Sequence, residues 1–275
     1  MRKIIDSSVL QSEKLRDYLS KPQNMAVLTD YVAMEAYKEN DGQSIYERMA
    51  VLATRPRQVV ILKSTLAICG LRGRAAGLQR RMIDLDQTRD FAEYCDELQR
   101  ARSGDQRYRR ALREHGQEAV RHLERVLADA GQMARTIDLI AGTYSMNDIR
   151  ALRSGAEITD RMLARTHQNL QIIVSGLFED HPKVHQLPPT RELGNTYIFR
   201  FALCTYVWAL RWIAVGGTGK TKPENLRNDM IDTSFVVYGT FFDGVLTGDA
   251  KAKELFGELQ WWLSALRDFL RRSGS

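Results

Sequence analysis

Cysteine is scarce in this chain: three among 275 residues, at positions 69, 95 and 204. They are odd in number, far apart and without a C-x-x-C pair, which excludes a disulfide framework and a cysteine zinc site. A reducing, cytoplasmic setting is the expectation. Long uninterrupted apolar runs are also lacking. The amino terminus reads MRKIIDSSVLQSEKLRDYL, and its apolar run ends at Asp6 after Ile4 and Ile5, too short for a signal-peptide core. The segment 197–215, YIFRFALCTYVWALRWIAV, has the length to cross a bilayer but carries Arg200 and Arg211. Each arginine costs roughly 2.5–3.5 kcal/mol at mid-membrane. A buried or amphipathic helix is expected there, with no membrane partner. No G-x-S-x-G elbow occurs, and no cysteine has a local nucleophile signature, so covalent catalysis has no visible anchor.

What is present is a globular composition, 44% hydrophobic and 27% charged. The length allows one large domain or two ordinary ones, either with a substantial core. Net charge is +6, and the arginines concentrate in the middle of the chain. That balance suits a polyanionic partner such as nucleic acid, or simply solvates long helices.

Along the first 63 residues, short apolar runs alternate with helical pattern. KII (3–5) reads as a buried strand ending at Asp6, and SEKLRDYL as a helix opening on Ser12, a good N-cap. NMAVLTD (24–30) reads as a second strand. DYVAMEAYKEN follows as a helix, capped by Thr29 or Asp30. RQVVILKS (57–64) is a third strand, rich in β-branched residues. Strands alternating with helices imply a parallel sheet covered on both faces. From about residue 64 to 195 the pattern is helical. Leu112, Ala119, Leu123, Val126 and Leu127 recur at helical spacing, and SGD (103–105), AGTYS (141–145) and EDHPKVHQLPP (179–189) read as breaks. After 196 the alternation returns: a helix from Pro223, a short strand in DGVLTGD, and a closing helix. Leu255, Leu259, Trp262, Leu266 and Phe269 or Leu270 form the apolar stripe of that helix. The expected organisation is one α/β unit, residues 1–63 and 196–275, interrupted by a mainly helical insertion, 64–195.

Residues 214–235, AVGGTGKTKPENLRNDMIDTSF, offer two chemistries. The first half fits a loose phosphate loop, Ala214 to Gly219-Lys220-Thr221. Such a loop needs a helix already under way at its lysine, and Pro223 two residues beyond Thr221 interrupts that ladder. A connector is expected instead. The second half sets Asp229 and Asp232 on one helix face. Asp6 and Asp249 end the first and last strands, at the edge of a parallel sheet where ligands bind, and Glu35 lies in the helix after the second strand. Clustered carboxylates repel unless a cation is present, and Mg²⁺ or Mn²⁺ accepts such hard oxygen ligands. His181 and His185 have ligand-like spacing but flank Pro182. His115 and His122 share one helix face, and Trp261 and Trp262 read as packing.

These residues carry a resemblance. IIDSSVL resembles the opening Asp-Ser/Thr motif of the PIN-domain nucleases, with Ser8 where asparagine is more usual. VLTDYVAMEAYK resembles their glutamate-bearing second segment. NDMID followed by DGVLTGDAKAKELF resembles their closing acidic helix and Thr-x-Asp strand end. The match covers the first 63 and last 55 or so residues, and 193 residues separate Glu35 from Asp229. The resemblance implies an α/β/α sandwich with a central parallel sheet and Mg²⁺- or Mn²⁺-dependent endoribonuclease activity on single-stranded or structured RNA. Asp6, Glu35 and Asp249 then take the metal-binding, catalytic acid roles, with Asp229 or Asp232 as the remaining acid. Ser7, Ser8 and Thr247 take the supporting hydroxyl roles, while Asp30 and Asp243 are expected as helix cap and turn. A neutralising or regulatory protein partner and a homo-oligomer are compatible with this reading. The alternative is a non-catalytic nucleic-acid-binding or regulatory protein whose acids serve structure only.

Overall fold

The computed structural model describes residues 1–37, 42–154, 157–184, 186–215 and 223–273, with side chains except at 42, 119, 122–138, 153, 223–228, 271 and 273. The first elements are β1 (Arg2–Ile5), α1 (Glu13–Leu19), β2 (Met25–Leu28), α2 (Asp30–Tyr37), α3 (Gly42–Ala53) and β3 (Val59–Ile61). Eight helices follow: α4 (Thr65–Cys69), α5 (Leu78–Met82), α6 (Leu85–Arg102), α7 (Gln106–Gly142), α8 (Met146–Ser154), α9 (Asp160–Glu179), α10 (Thr190–Leu193) and α11 (Tyr197–Ala214). The chain closes with α12 (Pro223–Gly239), β4 (Val245–Leu246) and α13 (Ala250–Ser273).

The four strands form one sheet in the order β3-β2-β1-β4, every pair parallel. This is an α/β protein with most of its residues in helices. Ile4 and Ile5 point to opposite faces of β1 and neither is exposed, as is true of Ala26 and Val27 in β2. Both faces of the sheet are therefore covered, as all-parallel sheets require.

Local signals set the element starts. The Ser12 side chain accepts from the Leu15 N–H (3.3 Å) to cap α1. Thr29 accepts from the Val32 N–H (3.3 Å), capping α2. Asp30, expected as that cap or its neighbour, has a different job. Its carboxylate accepts from the Thr65 N–H and Thr65 Oγ1, both 2.7 Å, and Thr65 Oγ1 lies 2.8 Å from Tyr238 Oη. One acid thus ties the end of β2 to the start of α4 and to α12. Asp243 is a turn residue, accepting from the Arg2 N–H at 2.6 Å. The expected breaks fall between α6 and α7, α7 and α8, and α9 and α10, and the α13 stripe is buried at Leu255, Leu259, Trp262 and Leu266. Leu270 of that stripe is exposed, as is Trp261.

Helix α11, the apolar segment with two arginines, is a core helix packed against α7, α8, α9, α12 and α13. Among the described residues no helix is long and apolar enough to cross a membrane. Its arginines are accommodated separately. Arg200 donates to the Gly194 carbonyl from Nε (2.9 Å) and to the Thr240 carbonyl from Nη1 (2.6 Å). Arg211 pairs with Glu254 (2.6 Å) and Glu258 (3.4 Å) on α13. The phosphate-loop segment 216–222 and His185 lie outside the described residues, and the side chains of Ala119, His122, Leu123, Val126 and Leu127 outside the described side chains. The long helix α7 contacts both α2 and α12, the helices that bear Glu35, Asp229 and Asp232.

Candidate active site

Asp6 follows β1 directly and is buried. It caps the single helical turn Ser7–Val9, accepting the Ser8 N–H at Oδ1 (3.1 Å). Ser8 Oγ donates to Oδ2 (2.7 Å), as does the Thr247 hydroxyl, and Ser7 Oγ lies 3.5 Å from Oδ1. Ser7, Ser8 and Thr247 thus support the acid. Thr247 reaches it because β4 pairs with β1, with Ile4 opposite Val245 and Ile5 opposite Leu246. The Asp6 N–H donates to the Leu246 carbonyl (3.1 Å), and the Gly248 N–H to Ser8 Oγ (3.1 Å). These bonds join residues about 240 positions apart and seat both strand ends at one edge.

Asp249 stands three residues past β4. Its backbone N–H donates to Thr247 Oγ1 (2.9 Å), and its Oδ1 accepts from the Lys251 and Ala252 N–H groups at the start of α13. One hydroxyl, Thr247 Oγ1, is therefore shared between Asp6 and Asp249, donating to the first and accepting from the second. That explains Thr-x-Asp physically: the threonine couples two acids that the strand pairing brings side by side.

Asp229 and Asp232 lie on α12. Burial pushes the Asp232 carboxyl up to about 7, and the charges of Asp6, Asp249, Asp229 and Glu35 push in the same direction. A single carboxyl therefore senses the four other acids, which come from the end of β1, from α2, from α12 and from the start of α13. Asp229 is also raised, by burial and by Asp249. Lys251 and hydrogen bonding from the Trp208 and Trp212 indoles act against that rise. The two aspartates, equivalent in sequence, are thus distinguished by surroundings: Asp232 faces the other acids, while Asp229 sits beside a lysine and two indoles.

The acids share a field and not a formed ligand cage. Among the described residues no group of three His, Cys, Asp or Glu side chains is gathered tightly enough to hold a metal ion. The donor chemistry nonetheless fits Mg²⁺ or Mn²⁺, since all five side chains are hard oxygen donors and their mutual repulsion calls for a cation.

Two kinds of residue at this edge escape sequence reasoning. Lys14 on α1 donates from Nζ to the Thr247 carbonyl (2.6 Å), next to the shared hydroxyl, and burial lowers its pKa. Trp208 and Trp212 reach Asp229 from α11. Their i, i+4 spacing was the only signal available, and it reads as ordinary packing. The cysteines are free, and burial raises all three thiols, Cys69 to about 12 and Cys95 to about 11, which disfavours the thiolate. His115 is exposed, its ring edge-on to Tyr37. His181 Nδ1 accepts from the Lys183 N–H (3.2 Å). Compared with protein-family models, curated proteins and solved structures, the chain shows no significant match to any of them.

Proposed function

We propose that this chain is a metal-dependent endoribonuclease of the PIN-like kind, its sheet the core of an α/β/α sandwich and its substrate a single-stranded or structured RNA. The observation that carries the reading is the meeting of Asp6 and Asp249 at one sheet edge through the shared Thr247 hydroxyl, beside Asp232, whose carboxyl is raised by burial and by the four surrounding acids. An acidic cluster serving structure alone is a cost without a return, because each added carboxylate makes the others harder to ionise. Asp6, Glu35, Asp232 and Asp249 are the acids that would hold the cation, with Asp229 alongside. Bound Mg²⁺ or Mn²⁺ would supply charge neutralisation and activation of a water for phosphodiester hydrolysis.

The chain's own residues have definable tasks. Ser8 and Thr247 fix the Asp6 carboxylate with donors on Oδ2, and the Ser8 N–H holds Oδ1, so the carboxylate is oriented toward the sheet edge. Asp249 is oriented by its backbone bond to Thr247 and by the start of α13. Asp232 holds a proton near neutrality that a cation would displace, so metal affinity rises with pH. The basic helices of the middle segment supply the positive field that an RNA strand needs.

A second reading, a non-catalytic nucleic-acid-binding or regulatory protein, draws on the absence of a tight three-ligand group among the described residues. One experiment separates the two. Purified protein is incubated with a labelled RNA in Mn²⁺, in EDTA, and in EDTA followed by excess Mn²⁺. Cleavage that EDTA stops and Mn²⁺ restores supports the nuclease. Salt-sensitive binding without cleavage under any divalent ion favours the second reading.

A further inference from the structure

At the amino-terminal edge of the sheet, opposite the acids, lies a cavity of about 360 Å³ lined by Arg2, Arg80 and Arg200 together with Gln79, Thr240 and Phe241. Helix α12 links the two edges. From Asp232 to Thr240 is eight residues, or about 12 Å along a helix.

The cavity has three arginines and no acidic side chain among the described residues that line it. Nor does an ion pair join any of the three to a carboxylate among the described residues. Arg200 is the deepest. Its guanidinium lies over the Phe241 ring at 3.9 Å, and its Nε and Nη1 are spent on the Gly194 and Thr240 carbonyls, with Thr240 Oγ1 at 3.0 Å from Nη1. Nη2 has no described partner. Burial lowers this group to about 10, so it stays cationic at neutral pH. Arg200 is partly buried; withdrawing part of such a cation from water without a counter-charge is unfavourable, and an anion in the cavity would relieve it.

The walls are built rather than incidental. Gln79 Nε2 donates to the Phe241 carbonyl (2.6 Å). The loop ahead of α5 is pinned by Arg81, whose Nη2 donates to the Arg74 carbonyl (2.9 Å), and by Asn195, which donates to the Gly73 carbonyl (3.2 Å). Asp243 accepts from the Arg2 backbone N–H, and no ion pair joins the Arg2 guanidinium to it among the described residues.

We propose that this cavity is a phosphate-binding site, receiving a phosphoryl group between Arg200 at its floor and Arg2 and Arg80 at its mouth. Planar guanidinium groups match phosphate oxygens with paired donors. The phosphoryl group comes from one of two sources, the end of an RNA strand or a small phosphorylated molecule. The site stands apart from the acidic cluster and does not depend on cleavage.

The test is titration calorimetry of the whole protein in EDTA with three probes: inorganic phosphate, a 5′-phosphorylated tetraribonucleotide and the same tetranucleotide with a 5′-hydroxyl. Each is repeated with Arg80→Gln and Arg2→Gln, both exposed positions, after circular dichroism confirms an unchanged fold. The expected result is saturable binding of inorganic phosphate that weakens by about tenfold in each variant, the loss of one charge-assisted hydrogen bond. Tighter binding of the 5′-phosphorylated strand than of phosphate, lost in the same variants, identifies the RNA end as the source. Equal affinity for the two identifies a small phosphorylated molecule. No saturable phosphate binding, or affinities within twofold of wild type in both variants, overturns the proposal.

Discussion

At the scale of single residues, the site turns on how carboxylates are held. Asparagine at 249 keeps the one oxygen that accepts from the start of α13, while asparagine at 6 keeps one accepting oxygen and requires the Ser8 and Thr247 hydroxyls to turn and accept from its amide. Asp6→Asn and Asp249→Asn should each lower RNA cleavage by about 100-fold or more, as expected when a charged group acting in the transition state is removed. Circular dichroism and RNA-binding affinity should stay near wild type. Cleavage near wild-type rates in both variants would rule out the acidic cluster as the catalytic centre. Asp232 makes a separate statement about pH. Its carboxyl is raised from an ordinary 3.8 to about 7, so between those values the native state holds a proton that the unfolded chain has released. The associated stability is fully present below the lower value and is lost as pH rises through the upper one. Urea midpoints of the metal-free protein should therefore fall from pH 4 to pH 7. Asp232→Asn should flatten that fall, because Asp6, Glu35, Asp229 and Asp249 then face a neutral amide. An identical slope in the variant would show that another group titrates.

At the scale of elements, the decisive contact is where α12 ends. Gly239 closes the helix that carries Asp229 and Asp232, and a β-carbon there would stand 2.4 Å from Val245 Cγ2 of β4 and 3.1 Å from the Phe256 ring of α13. Gly244 follows with φ of 109°, a conformation open to glycine but strained for other residues. Gly239→Ala should cost about 1–3 kcal/mol of stability by overpacking. Gly257 on α13, whose added β-carbon meets nothing within 4 Å, provides the control: Gly257→Ala should stabilise by about 0.5–1 kcal/mol. Urea unfolding of the two variants checks both signs, and equal effects would show that the close approach is not rigid. The starts of α1, α2 and α12 and the breaks around α7 were legible because caps, prolines and turn residues act over three or four positions. Helix α3 was not anticipated. β2 and β3 proved shorter than their apolar runs, while β1 begins one residue earlier, at Arg2. Gln58 joins the helical turn before β3, and the Lys63 N–H turns from the sheet to the Met82 carbonyl of α5. Nor could local pattern reveal that Asp30 clasps Thr65 or that Trp208 and Trp212 reach Asp229. Those partners are brought by packing.

At the scale of the whole molecule, the pairing of β1 with β4 unites acids from both ends of the chain, and α7 braces the helices that carry three of them. A cation held by that assembly binds the folded state alone and must stabilise it. Mn²⁺ at about 100 times its dissociation constant should add about 2.7 kcal/mol, seen as a higher melting temperature in wild type. That rise should vanish in the Asp6→Asn, Asp249→Asn double variant. An equal rise in both proteins would place the metal elsewhere. The amino-acid order by itself placed the four strands and most of the helices, α3 excepted, because periodicity and capping are properties of neighbours. It also placed an acid at the ends of β1 and β4, because aspartate follows each apolar run. Only the tertiary structure decided that Asp232 feels all four other acids while Asp229 also meets Lys251 and two indoles, and that a partly buried arginine shares a cavity with two more. It also made Thr247 the bridge between the first aspartate and the last. Each of these depends on groups far apart in the chain, and their separation in space is set by packing, which no local pattern encodes.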